Sequence, residues 1–565
     1  MFNEIAEKII AKHLAIGSFT ITVFLVSSMN TDPVNVTKFF VLGGVAFSLL
    51  LLTLRFQAGY LVNNFKPFIL IAGLLQATML SSTFLSEAPL VQNIYGAYGR
   101  NTGFFTYFFL SIVMVAALSL RNRKHFEWSI RALLAAGVLN IAYCSWVLAF
   151  GDFIGWENRY SKILGLFGNP DFISAFLGMF ITASFAYIVN SQTSWKVRCL
   201  LIALSGLALF EILKSHAIQG LVVSTGGLAI VGFYFLRDKF KSALVPSVYI
   251  FFGGVLGVVA VLGTLQRGPL SFVYKRSVSL RGTYWHAGIE MGKANPFSGV
   301  GLDSYGDWYR RMRPPVAVLD MPGVNTTSNV AHNVVVDFFA SGGYPLLFSY
   351  LAILFLGLAA IFRFTIRNKK YDPVFVALAG TWLAYQAQSI ISINQVGLAV
   401  WGWLFTGLLV AYERISRSDL NNVASATLQA KTKKRVNQSV ISPQLVGGVG
   451  LVIGLFIASP PFTSDAKWFS ATGSRSAEVV EAALAPSYIN PPDTYKYLQA
   501  VNLFQNSNLP ELAHKYAAKA VEFNPNSFDA WKQFYFLPNS TEAEKTLCLE
   551  NMKRLDPLNP DVLAQ

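Results

Sequence analysis

The stretch VVVDFFASGGYPLLFSYLAILFLGLAAIF, residues 334–362, decides the fold class. It carries a single charge, Asp337, near its start and Gly342-Gly343 about two turns in. An apolar run of roughly 17–25 residues is enough to cross the hydrocarbon core of a bilayer as a helix. The same pattern recurs on both sides of it. Thirteen stretches qualify, roughly 13–30, 37–55, 67–85, 103–120, 127–150, 172–190, 197–214, 217–236, 244–264, 334–362, 372–391, 396–412 and 442–459. No small-residue cleavage site follows the first, so it reads as a retained helix and not as a signal peptide.

Composition agrees. Of 565 residues, 53% are hydrophobic and only 13% charged, and mean hydropathy is +0.45. A soluble globular domain carries about 25% charged residues. A soluble enzyme, a disordered chain and a coiled coil are therefore excluded. The net charge of +15 would suggest nucleic acid in a soluble protein. In a polytopic chain, loop Lys and Arg instead set orientation or meet lipid phosphates, so no nucleic-acid partner is expected. Cys144, Cys199 and Cys548 lie far apart, and the six histidines are scattered. Neither a disulfide framework nor a metal centre is expected, and no cofactor.

The basic loops test the span count. Arg121-Asn-Arg-Lys124 with Arg131, Arg237 with Lys239 and Lys241, Arg367 with Lys369-Lys370, and Lys431-Thr-Lys-Lys-Arg435 fall on one side if every stretch crosses once. Arg55, Lys66, Lys196 and Arg198 agree. By the positive-inside rule that side is the cytoplasm, with the amino terminus. The other face receives the 151–171 loop, a long loop at 265–333 and everything after about 460. The long loop has eight Lys/Arg against four Asp/Glu. Loops beyond about 60 residues translocate regardless of charge, yet the excess asks for a partner, and an anionic ligand is the natural one.

After about 463 the apolar runs shorten. Asn490-Pro491 and Asn524-Pro525 are 34 residues apart, and Asn559-Pro560 follows 35 later. With Ala513, Ala517 and Ala520 at packing positions, this period reads as tetratricopeptide-like repeats, about two and a half of them. An ordinary helical tail is the alternative. The expected organisation is all-α: a polytopic bundle of about 12–13 spans, the main membrane domain at 1–412 with the extracytoplasmic loop 265–333. A cytoplasmic basic linker at 413–441 follows, then the thirteenth span at 442–459 and an outside repeat domain at 463–565.

Polar groups gather on the outer face. They include Gly99-Arg100-Asn101, Arg159 ahead of Gly168-Asn169-Pro170-Asp171, and Ser215-His216 after Lys214. In the long loop, Arg281-Gly-Thr-Tyr-Trp285 opens a short amphipathic helix over 281–294, ended by Asn295-Pro296 and a turn at Gly299 and Gly301. The loop closes with Ala331-His332-Asn333. Over residues 30–412 this order of motifs resembles the O-antigen ligase and polymerase family, membrane glycosyltransferases that use undecaprenyl-diphosphate-linked glycans. The motifs that carry the resemblance are the Arg100 loop, Gly168-Asn169-Pro170, the run from Arg281 to Pro296-x2-Gly299-x-Gly301, and His332-Asn333.

The resemblance implies a GT-C-like helical fold in a bacterial cytoplasmic membrane, in a variant with outside tetratricopeptide repeats. By position it makes His332 the candidate base and Arg281 a diphosphate ligand. The chain departs from the family where many members have Arg, at His216, and where many have Asn, at Asp171. Lys214, His216, Arg159 or Arg100 would then supply the second diphosphate contact, with Asn169 beside them.

The chemistry supports those roles independently. A sugar diphosphate is already a good leaving group, so the transition state chiefly needs charge stabilisation on the departing phosphate. Arg offers forked donors that keep their charge, and His is a base whose ordinary pKa lies near working pH. An inverting, metal-independent single displacement follows. Asp337 could orient the imidazole only if its helix begins late. Trp285, Tyr305, Trp308 and Tyr309 could stack on sugars or form the interfacial aromatic belt. Glu211 and Lys214 could form a local pair.

The expected partners are the lipid-linked donor, an acceptor glycolipid, glycan or protein, membrane lipids, and a possible protein partner in the repeat groove. A polymerase differs from a ligase only in its acceptor. A flippase for the same lipid should show charges along central helix faces and repeated halves, and no repeated halves are found here. A repeat-bearing scaffold for envelope machinery is the remaining class.

Overall fold

The computed structural model describes residues 4–156, 158, 160, 162–264, 266–269, 271, 276–319, 322–425, 441–474 and 476–565. Arg159 and the basic cluster Lys431–Arg435 lie outside the described residues. Among those described there is no β-strand, and each apolar stretch lies largely in one helix, although the helix of the first, 13–30, ends at Val23. Nine of these helices are long and apolar enough to cross a membrane. Phe104–Ala117 is apolar but has 14 residues, and Pro373–Ser389 has 17. Glu4–Val23 and Trp195–Ser215 carry several charges.

Local chemistry sets the helix starts. Asn169, Asp372 and Ser442 each precede a proline, and each side-chain oxygen accepts a backbone N–H of the first turn. Proline loses nothing there, because that N–H has no intrahelical partner. Asn333 caps Val334–Arg367 in the same manner, accepting from Val335 and Val336.

Val334–Arg367 is broken at Gly342 and Gly343, where Gly343 has φ +63°. The break is filled by another piece of chain. The N–H groups of Val300 and Gly301 donate to the Ala340 and Ser341 carbonyls, at 2.9 and 3.1 Å, and Tyr344 N–H donates to Pro296 O at 2.8 Å. A Cβ on Gly343 would stand 2.2 Å from Pro296 O, and one on Gly299 2.2 Å from the Ser341 carbonyl carbon. The turn after Asn295-Pro296 is thus threaded into the kink of the helix. Irregular backbone at such depth is tolerated because its polar groups are paired inside the protein.

The last apolar helix, Pro443–Thr472, packs against Asn35–Phe56 along glycines; a Cβ on Gly454 would meet Gly43 O at 2.1 Å. Small residues let two backbones approach where lipid gives helices no hydrophobic reason to associate. The boundary expected between 459 and 463 falls inside this one helix. Pro460 cannot donate to Phe456 O, and the hydroxyls of Ser459 and Tyr488 donate to it instead, at 2.8 and 3.3 Å.

The tail beyond it is a run of helix pairs. Thr494–Asn506 packs on Pro510–Phe523, and Phe528–Tyr535 on Glu542–Leu555, around a core of its own that includes Trp468, Tyr516 and Trp531.

Among the described residues, the basic loops at Arg121–Lys124 and Arg367–Lys370 lie together at one end of the bundle. Arg123 pairs with Asp372 at 2.6 Å, His125 with Glu7 at 2.7 Å, and Glu413 with Arg367 and Arg417 at 2.5 and 2.7 Å. The opposite end carries the Arg100 loop, the long loop and the tail.

Candidate functional site

A cavity of about 520 Å³ opens at that opposite end. Its lining includes Asp32, Arg100, Asn169, Asp303, Asp337 and Tyr495. Each is brought there by a local device. Asp303, held at φ +56° after Gly301, accepts from Ala97 N–H at 2.8 Å and Thr102 N–H at 3.1 Å. Asn35 Nδ2 donates to Gly99 O at 2.9 Å. Tyr98 donates to Asp465 Oδ1 at 3.0 Å and stacks on Tyr495, with centroids 4.4 Å apart. These contacts strap the 96–102 loop down on three sides and leave the Arg100 side chain without a hydrogen-bond or ion-pair partner among the described residues.

His332 and Arg281 are not among the lining residues of this cavity, but Val330 and Asp337, on either side of His332 in the chain, are. His332 sits at φ +54°, one residue before the cap Asn333, so the chain turns sharply into the helix there. The left-handed region is costly for a non-glycine residue, and strain of that kind clusters at working sites. The imidazole packs on the Tyr284 ring, 5.7 Å between centroids, and its nitrogens have no hydrogen-bond partner among the described residues. Burial, then the charges of Arg100 and Arg281, push its pKa down to about 3. Burial and the two guanidinium charges thus both favour the neutral imidazole.

Arg281 comes from the helix Arg276–Ala294. Burial lowers its pKa, and Asp171 and Tyr284 oppose the shift. It has no salt bridge among the described residues. Asn169 lines the cavity, but its oxygen is committed to Asp171 N–H at 2.8 Å; its Nδ2 reaches the Tyr160 hydroxyl at 3.3 Å.

Several sequence expectations are corrected. Val334–Arg367 begins directly after Asn333, and Asp337 accepts from Ala331 N–H at 2.6 Å, so it pins the loop and does not orient the imidazole. Tyr305, Trp308 and Tyr309 are buried with Ala287 and Met291, and Trp285 packs partly buried against them. They form a core under the long loop and not an interfacial belt. Lys214 and His216 are exposed and lie outside the cavity lining. Glu211 accepts from Ser145 at 2.8 Å, and the Lys214 ammonium lies over Phe210, so the two are not a pair.

Part of the charge excess of the long loop is met inside the protein. Arg313 donates to both oxygens of Asp556 at 2.8 and 2.9 Å, and Arg310 to one of them at 3.2 Å. Arg311 donates to Asn526 Oδ1 at 3.1 Å and lies over Trp308. Three of the eight cations therefore hold the tail. Two participants escaped the sequence reading, Asp303 and Tyr495. The left-handed turn after Gly301 signals the first, and the second had no local sign.

Comparison with protein families and with curated proteins found no match to the chain.

Proposed function

We propose that the protein is a membrane glycosyltransferase that moves a glycan from undecaprenyl diphosphate to an acceptor on the extracytoplasmic face. In this reading all thirteen apolar helices cross, in a GT-C-like arrangement. The end that gathers the basic loops faces the cytoplasm, and the tail's helix pairs are tetratricopeptide-like repeats outside. The observation that carries the reading is the trio Arg100, His332 and Arg281. Two guanidinium groups that make no salt bridge among the described residues act on one imidazole close to a polar cavity, and Asp303, Asp337 and Asp171 are the carboxylates nearest to them in effect.

A diphosphate suits the guanidinium pair, which offers forked, permanently charged donors. Its negative charge would offset the two cations that depress His332, raising the basicity of the imidazole as the donor binds. The acceptor hydroxyl then loses its proton to His332 as its oxygen bonds to the anomeric carbon. The bond from that carbon to the phosphate oxygen breaks, and the lipid diphosphate departs against Arg100 and Arg281. The step needs no metal in this scheme. Ligase and polymerase share it and differ in the acceptor.

The test supplies lipid-linked oligosaccharide to purified protein, with and without chelator, for wild type, His332→Ala and Arg281→Ala. Transfer by wild type and a loss of about 10²–10⁴-fold in His332→Ala are expected, the usual worth of a general base. Full activity of His332→Ala would sink the base assignment, and loss on chelation the metal-independent step. Movement of lipid across vesicles without transfer would favour a flippase.

A further inference from the structure

Three hollows meet at one side chain. Tyr495 lines the cavity beside Arg100, a second of about 220 Å³ between the long loop and the tail, and a groove of about 560 Å³ on the tail itself. The groove is lined by four amides, Gln499, Asn502, Gln505 and Gln533, and by the rings of Tyr495 and Phe536. Its charges are one of each sign, Asp529 and Lys532.

The polar groups are arranged and not merely present. Trp468 Nε1 donates to Gln499 Oε1 at 2.7 Å, and Gln499 Nε2 donates to the Tyr495 hydroxyl at 2.6 Å, which fixes that ring. Gln533 Nε2 donates to Asn502 Oδ1 at 3.2 Å. Asn502 Nδ2 and the amide of Gln505, three residues on, are on exposed residues and have no hydrogen-bond partner among the described residues. Donors and an acceptor thus stay open in the groove on Asn502 and Gln505. Phe536 is 57% exposed beside them.

A hydroxyl both donates and accepts, so vicinal hydroxyls match such an amide pair, while the C–H face of a sugar ring suits an exposed aromatic face. An anionic chain would gain nothing from a groove of balanced charge, and a purely apolar anchor would leave the groove's amides without partners. We propose that this groove binds the neutral oligosaccharide chain of the lipid-linked donor, which leaves the Arg100 cavity past the stacked Tyr98 and Tyr495 rings. The proposal rests on the glycosyltransferase reading for the donor's identity.

The test uses full-length protein in detergent and three probes. They are undecaprenyl diphosphate alone, undecaprenyl-diphosphate oligosaccharide from producing cells, and that oligosaccharide released by mild acid. Wild type should bind the glycan-bearing lipid at least about ten-fold tighter than the bare lipid, equivalent to about 1.4 kcal/mol. It should also bind the released chain. Asn502→Ala/Gln533→Ala and Phe536→Ala should erase the glycan advantage and leave the bare lipid unaffected, with unchanged thermal melting. Equal binding of both lipids by wild type, an advantage kept by both variants, or capture of peptides in place of the released chain would overturn it. Failure of the transferase reading looks different: bare lipid would not bind, or would be indifferent to Arg281→Ala, while the released chain still bound the groove.

Discussion

His332 has the backbone of a strained turn residue and the environment of a buried neutral base. Its folded pKa of about 3 lies below its ordinary 6.5. The unfolded chain therefore takes up a proton between those values that the folded one refuses. Stability from this group is complete above about pH 6.5 and is lost as pH falls towards 3. Thermal melts of ligand-free His332→Gln should accordingly lose less stability than wild type between roughly pH 6.5 and pH 4. In turnover, kcat/KM reports the free enzyme and kcat the donor complex. The acid limb of kcat/KM should lie below about pH 5, and that of kcat should lie higher, because bound diphosphate offsets Arg100 and Arg281. Coincident limbs would show that neither arginine acts on His332. The pattern His332-Asn333 was legible as a site in sequence. The partner of Asp337 was not, because a carboxylate six residues from its backbone donor is brought there only by the turn.

At the scale of the element, the kinked helix Val334–Arg367 and the thread 296–301 are one device. Each half was legible, the first as glycines inside an apolar span, the second as a turn after Asn295-Pro296. That one fills the other was not, since their contacts cross about forty residues of chain. Gly343→Ala puts a Cβ on a carbonyl oxygen and a side chain at positive φ together. We expect it to destabilise by at least about 3 kcal/mol, the upper range for a single substitution. Detergent melting temperature and yield of folded protein would measure this. An exposed control on the same helix, Phe355→Ala, should change little, being 67% exposed to the surroundings of the bundle.

For the whole molecule, the tail is a wall of the site and not an appendage. It sends Asp465 and Tyr495 to the Arg100 loop and Asn524 to Asp307 at 3.1 Å, and buries Asp556 between Arg310 and Arg313. Removing one partner of a buried ion pair strands the other charge and costs about 3–5 kcal/mol. Asp556→Ala should therefore loosen the tail, seen as faster hydrogen exchange in Phe528–Tyr535 and Glu542–Leu555. Transfer should fall with it if the tail shapes the cavity. Protection equal to wild type would show the cluster to be dispensable for docking.

Sequence alone determined the helical class, the apolar stretches, the gathering of basic loops at one end and the motifs Arg100, Arg281 and His332-Asn333. These are written in local composition and period, because lipid demands long apolar helices and charges must sit at their ends. Only the tertiary structure decided which charges have partners. The cations of the long loop looked alike in sequence, yet three hold the tail, while Arg281 makes no salt bridge among the described residues and acts on His332. Pairing depends on which distant carboxylate the fold brings within a few ångströms, and no local pattern encodes that distance.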